Sequence, residues 1–98
     1  METEDLIVNT DQQRFEMRVD EHVVLINYRL HDNEMELVHT EVPPDLEGKG
    51  HGRKIVEKAF QYIKDQNYKV VPLCSFVVAY LKRHPEWNSI VAGSPNNS

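Results

Sequence analysis

Cysteine is almost absent from this chain: of 98 residues only Cys74 carries a thiol, so no internal disulfide framework can hold the fold. No apolar run approaches the roughly 20 residues that a membrane-spanning helix needs, and a membrane partner is not expected. The opening Met1-Glu2-Thr3-Glu4-Asp5 is acidic where a secretory leader would be basic and then apolar, which makes a reducing cytoplasm the expected location. Basic charge is in deficit as well. Lys and Arg number 11 against 16 Asp and Glu, a net charge of −5, the reverse of the excess that a phosphate-backbone binder carries, so nucleic acid is not an expected partner. The five histidines, His22, His31, His39, His51 and His84, lack the close spacing of zinc ligands, and one cysteine supplies no thiolate cluster; no metal is expected.

What remains is ordinary for a small soluble fold, with 40% apolar and 28% charged residues. We expect one domain over 1–98, frayed at about 1–5 and 93–98, as a monomer or weak homodimer. The first half has the period of strands. Leu6-Ile7-Val8 is a short apolar run, and Phe15, Met17 and Val19 alternate with charged residues. Val23 to Leu30 is β-branched and aromatic, Asp32-Asn33 is suited to a tight turn, and the chain then returns through Met35 to Val42. This spells an antiparallel meander, ended by Pro43-Pro44, which have no N–H to donate.

The second half changes period. Gly52, Ile55, Val56, Ala59, Phe60 and Ile63 form one apolar stripe of a helix from about Gly50 to Gln66, which Asn67 can end in the left-handed conformation. Lys69 to Leu73 resumes as a strand, parallel to its predecessor across the helix. Ser75 can cap a second helix that stops near His84, before Pro85. Phe15, Phe60, Phe76 and Trp87 are read as core or lid, with Trp87 folded against the domain.

Three of the chain's four glycines, Gly48, Gly50 and Gly52, stand at alternate positions between the extended run and the first helix. That makes a nest of backbone N–H groups at a helix N-terminus, which suits a phosphate or pyrophosphate. Glycine allows both positive φ and close approach of ligand oxygens to the main chain. Cys74 follows a strand and opens a helix, where backbone amides favour thiolate; a small buried hydrophobe is the competing reading.

The order of elements resembles the acetyl-coenzyme A-binding core of the GNAT acyltransferase superfamily, an α+β (α/β) fold whose coenzyme A cleft lies between splayed parallel strands. More narrowly, Glu41-Val42-Pro43-Pro44 through Gly48-Lys49-Gly50-His51-Gly52, with Val71-Pro72-Leu73-Cys74-Ser75-Phe76-Val77 and Arg83-His84-Pro85-Glu86-Trp87, is similar to the small single-domain, YjdJ-like proteins predicted to be N-acetyltransferases. The likeness covers roughly 6–88. The superfamily's loop begins with Arg or Gln and ends Gly-x-Gly or Gly-x-Ala; here Gly50 and Gly52 match and Glu47 replaces the basic or amide residue.

The resemblance implies acetyl-coenzyme A as cofactor. Its phosphates would meet Gly48, Gly50, Gly52 and the side chains of Lys49, His51, Arg53 and Lys54, with Lys82 and Arg83 as a second basic group and Glu47 turned away or paired. Its pantetheine arm would add to the strand edge at Thr40, Glu41 and Val42. The thioester would lie between His39 to Glu41 and Cys74. There Cys74 could accept the acyl group or polarise it, His39 or Glu41 could take a proton from the attacking amine, and Tyr80 could donate one to the leaving thiolate. The interval Asn9 to Gln13 is too short for helices that wall the acceptor site in larger relatives, so the acceptor side is expected to be open to a protein or bulky amine. The implied activity is N-acetyl transfer to an unidentified amine; the alternative is a coenzyme A-binding or acyl-sensing module without turnover.

Overall fold

A computed structural model describes residues 5–93, so the frayed ends expected at about 1–5 and 93–98 fall outside the described residues except for Asp5 and Gly93. Four strands form the meander: β1 (Leu6–Asn9), β2 (Arg14–Val19), β3 (His22–His31) and β4 (Glu34–Glu41). Helix α1 (His51–Asp65) follows, then β5 (Lys69–Pro72) and helix α2 (Ser75–Arg83), with single 3-10 segments at Pro44–Leu46 and Pro85–Ile90. The sheet order is β1-β2-β3-β4-β5, antiparallel except for the parallel β4–β5 pair.

The meander closes through two tight turns whose registers leave only Asp20-Glu21 and Asp32-Asn33 outside the strands. Each begins with an aspartate in the left-handed region, φ 56° at Asp20 and 57° at Asp32, a conformation Asp adopts more readily than bulkier residues. Alternation then buries one sheet face: Phe15, Met17 and Val19 from β2, Val24, Ile26 and Tyr28 from β3, Met35 and Leu37 from β4, Val70 from β5. Against it lies the apolar stripe of α1, where Ile55, Val56, Ala59, Phe60 and Ile63 are wholly buried. The other face keeps Ile7 and Val23 exposed beside the ion pairs Arg14–Glu16 and Arg29–Glu36.

One irregularity matters for the site. Asn27 pairs with His39 and Tyr28 with Leu37, so Val38 is an extra residue bulged out of β4. Partners across an antiparallel pair share a face. Leu37 therefore faces the core with Tyr28, and beyond the bulge it is Thr40, opposite buried Ile26, that faces the helices. His39 and Glu41 share a face, as period two requires, but the bulge moves it to the open side of the sheet, opposite Asn27 and Leu25.

Helix α1 ends as its sequence suggests. Asn67 has φ 63°, its N–H bonds to the Lys64 carbonyl at 3.0 Å, and the Tyr68 N–H bonds to the Ile63 carbonyl at 2.9 Å, the paired bonds of a Schellman stop. Helix α2 differs in its start: Cys74, not Ser75, is the N-cap, with extended geometry and a carbonyl that accepts the Val78 N–H at 3.0 Å. It ends at Arg83 because Pro85 forbids helical geometry at His84. The chain then returns to cover the outer edge of β5, where Val91 bridges Val70 and the Ala92 N–H bonds to the Val70 carbonyl at 2.9 Å.

Phe60 joins the two helices: its ring meets Tyr80 and Trp87 edge-on, each at 5.5 Å, and it is fully buried. Phe60→Ala is expected to destabilise the fold by about 3–5 kcal/mol, read as a lowered midpoint of urea unfolding.

Candidate functional site

The site begins where two parallel strands part. The last β4–β5 pairing is Leu37 with Pro72, and the Leu73 N–H bonds back to the Leu37 carbonyl at 3.1 Å. Beyond it β4 runs on to Glu41, held by β3 alone, while the chain after β5 turns away into α2. The edge of 38–41 thus borders a cleft of about 610 Å³, whose other walls are Leu46 to Gly48, the first turn of α1 from Gly50 to Arg53, and Phe76 and Arg83 of α2.

At the end of the cleft the glycine loop does what its composition suggests. Gly48 and Gly50 have φ 81° and 85°, a region that side chains strain, and Gly50 is the N-cap of α1 with no side-chain cap on that turn. Helix amides and the positive end of the dipole therefore face the cleft. A Cβ on Gly50 would stand 3.3 Å from Nη2 of Arg53, whose guanidinium folds back over the loop. Gly52 serves a different purpose. It lies in the helix, and a Cβ there would come within 2.6 Å of the Phe76 ring and 3.3 Å of Val42. Phe76 is accordingly not core: it is 42% exposed and forms a wall of the cleft. The sequence signal for this was the Gly52–Phe76 pairing of a residue with no side chain and an aromatic one at the start of the next helix, which only the fold brings together.

In the gap between the strands, the Cys74 thiol donates to the Thr40 hydroxyl at 3.4 Å. Burial pushes the thiol pKa up, but the Thr40 hydroxyl and the amides of Val77, Phe76 and Thr40 favour thiolate more strongly, and the net shift is downward. The N-cap position explains this, since the second and third amides of a helix point toward the cap side chain. The Val38 bulge is what turns Thr40 inward to meet it. Thr40 was expected only as a main-chain partner; its hydroxyl is the addition.

The remaining expected residues divide. His39 and Glu41 border the cleft as an exposed pair, Nε2 to Oε1 3.8 Å. Val42, Glu47, His51, Arg53 and Arg83 border it too. Lys49 does not: it borders a separate hollow with Asp20, Glu21, His22 and Asp45. Lys82 lines a groove on the opposite flank of α2 with Pro72 and Pro85, because adjacent helix positions diverge by about 100°. Tyr80, expected at the thioester, is buried against Phe60 and stacked on His84 at 4.3 Å, and borders a smaller adjoining hollow of about 230 Å³. Burial pushes its hydroxyl pKa up and the Glu57 carboxylate adds to this, outweighing a hydrogen bond from Trp87.

Because the folded thiol pKa lies below its ordinary value of 9.0, the thiolate fraction near neutral pH exceeds that of the unfolded chain. Alkylation of Cys74 is expected to show a midpoint below 9.0 in its pH profile, and Thr40→Val to move the midpoint upward, leaving burial less opposed. A midpoint unchanged by Thr40→Val would remove the hydroxyl from this role.

Two comparisons bear on this arrangement. The family model described as GCN5-related N-acetyl-transferase matches residues 14–90, which takes in strands β2 to β5, the glycine loop, Cys74 and α2. The fold is also similar to the solution structure of a GCN5-like candidate N-acetyltransferase from Staphylococcus aureus, with a TM-score of 0.71 and 26% identity over 95% of this chain and 92% of that one. With the glycine-capped helix, the parted strands and the match over most of its length, the chain belongs to the GCN5-related N-acetyltransferase family.

Proposed function

We propose that the cleft binds acetyl-coenzyme A and that the chain transfers its acetyl group to an amine of a protein or other bulky acceptor. The observation that carries this reading is the meeting, in one cleft, of a strand edge lacking a β5 partner and a helix N-terminus opened by positive-φ glycines. The residues present fit the ligand. The Gly48–Gly52 turn leaves room beside helix amides for a pyrophosphate, Arg53 and Arg83 add charge, and the β4 main chain at His39 to Glu41 can pair with the amides of a pantetheine arm.

Acetyl-coenzyme A supplies, when bound, an activated acyl carbon and a thiolate leaving group. In this reading Cys74 acts as nucleophile: its sulfur would form a bond to the acetyl carbon as the bond to the coenzyme sulfur breaks, with water supplying the proton for the coenzyme thiol. The acceptor nitrogen then displaces the Cys74 sulfur and loses a proton to His39 or Glu41, which returns Cys74 to thiolate. Thr40 steadies that thiolate by turning its hydroxyl to donate. Tyr80, apart from the cleft and holding its proton more firmly than usual, serves to pack the helices.

Calorimetry with acetyl-coenzyme A, followed by mass spectrometry of the protein and a thiol-release assay on an amine panel, tests this reading. Binding, an acetyl adduct on Cys74 without acceptor, and acceptor-dependent thiol release are expected. Cys74→Ala should leave affinity nearly unchanged and cut turnover by about 100-fold or more. Gly50→Val should abolish binding, since a β-branched residue cannot hold that φ. Unaltered turnover in Cys74→Ala would show direct transfer to the amine, binding without thiol release on any amine would make the domain a coenzyme A-binding module, and no binding would end the reading.

A further inference from the structure

Among the described residues Leu73 is the most exposed large apolar side chain, at 53%, and neither the core nor the cleft uses it. A lone exposed leucine is common on protein surfaces and by itself means little. Its place is what sets it apart. The chain stays extended from Lys69 to Cys74, since the Leu73 N–H continues the ladder to the Leu37 carbonyl and Cys74 keeps strand geometry. Alternate side chains therefore take opposite faces: Val70, Pro72 and Cys74 the helix side, Lys69, Val71 and Leu73 the open side of the sheet. Leu73 thus stands on the open face one residue from the thiol, at the β5 side of the place where the strands part. His39 and Glu41 stand on the same face at the β4 side. Two residues back along β5, about 6.6 Å away, half-buried Val71 continues the apolar strip. Glu36, opposite Val71, has its charge answered by Arg29 at 2.9 Å and His31 at 3.6 Å. Lys69 closes the strip, its Nζ bonded to the Ser89 carbonyl at 3.1 Å. The parting therefore has one flank of imidazole and carboxylate and one aliphatic flank.

We infer that Leu73 selects the acceptor: the amine arrives on an unbranched aliphatic arm whose methylenes lie along Leu73 and Val71 while its nitrogen meets the His39–Glu41 pair. The inference rests on the transferase reading of the site. An alkylammonium is drawn to the exposed Glu41 carboxylate and gives up its proton to the pair before attack. Its methylenes cover Leu73, which takes apolar surface out of water on both partners. The strip from Leu73 to Val71, about 6.6 Å, is close to the reach of a lysine's four-carbon stem. An α-amine has no such stem and leaves the aliphatic flank bare. A lysine side chain and a free alkylamine share this chemistry.

Thiol release from acetyl-coenzyme A by the full chain, with ethylamine, butylamine and hexylamine as acceptors, tests this, because these amines share the basicity of their nitrogen and differ in arm length. kcat/KM is expected to rise about two- to fourfold for each added methylene, through KM more than kcat. Leu73→Ser, at an exposed position, should flatten that slope, the loss growing from ethylamine to hexylamine; Leu30→Ser, at another exposed leucine, should keep it. In an NMR titration with hexylamine in the presence of coenzyme A, the Leu73 methyl resonances should move and those of Leu30 should stay. Acetylation of an Nα-blocked lysine amide as fast as hexylamine would place the arm on a lysine side chain, and its failure beside reactive alkylamines would place it on a free amine. Equal kcat/KM along the series, a slope that survives Leu73→Ser, or unmoved Leu73 resonances would overturn the inference and leave the transferase reading standing. No thiol release with any amine would end both.

Discussion

Everything at the site follows from β4 and β5 ceasing to pair after Leu37. A parallel pair normally runs until one strand ends, and β5 ends at Pro72, after which the chain turns into α2. Antiparallel pairing to β3 keeps β4 straight for the rest of its length, so the edge of 38–41 stays extended without a strand beside it. A lone exposed edge invites aggregation. Here it borders the cleft between the first turn of α1 and α2. The outer edge of β5, by contrast, is covered by Val91 and Ala92.

The same parting bears on how a chain of net charge −5 could hold the anionic ligand proposed for the cleft. Local field, not total charge, decides binding at short range. The Gly50 turn opens α1 at the cleft, Phe76 from the first turn of α2 forms another wall, and Arg53 and Arg83 border the same space. Glu47 borders it as well. The acidic residues Asp20, Glu21 and Asp45 gather in a separate hollow, with Lys49 and His22 among them.

Much of this was legible in the sequence, and what was not has a common cause. Strand period, the Asp32-Asn33 turn, the Asn67 stop and the Pro85 boundary are local signals, fixed by a few adjacent residues, and the structure follows them. The glycine turn was legible for the same reason. The bulge at Val38 was not, because nothing in Leu37-Val38-His39 distinguishes it from a regular strand; its cause lies in the pairing with β3. From it follow the inward turn of Thr40, the outward turn of His39 and Glu41, and hence the Thr40–Cys74 contact. Lys82 and Arg83 looked equivalent as neighbours in sequence, but the phase of a helix separates adjacent residues, and only Arg83 reaches the cleft. Gly52 and Phe76 needed the packing of two helices to show their relation.

The bulge also determines from which side each reactant can come. On the helix side of the parted strands stand Thr40, Cys74 and the glycine turn; on the other side of the same strand stand His39 and Glu41, exposed and 3.8 Å apart. In the proposed reading, a ligand held at the glycine turn and along the β4 edge presents its far end where β4 and β5 part. An amine arriving at the open face meets the imidazole–carboxylate pair before it meets the sulfur. With only Thr10 to Gln13 joining β1 to β2, no helix among the described residues covers that face, where Ile7 and Val23 are 43% and 36% exposed. In the proposed reading, this short connection is what leaves room for a large acceptor. Cys74 is half-buried on the helix side of the sheet, while the His39–Glu41 pair on the other side is exposed to water.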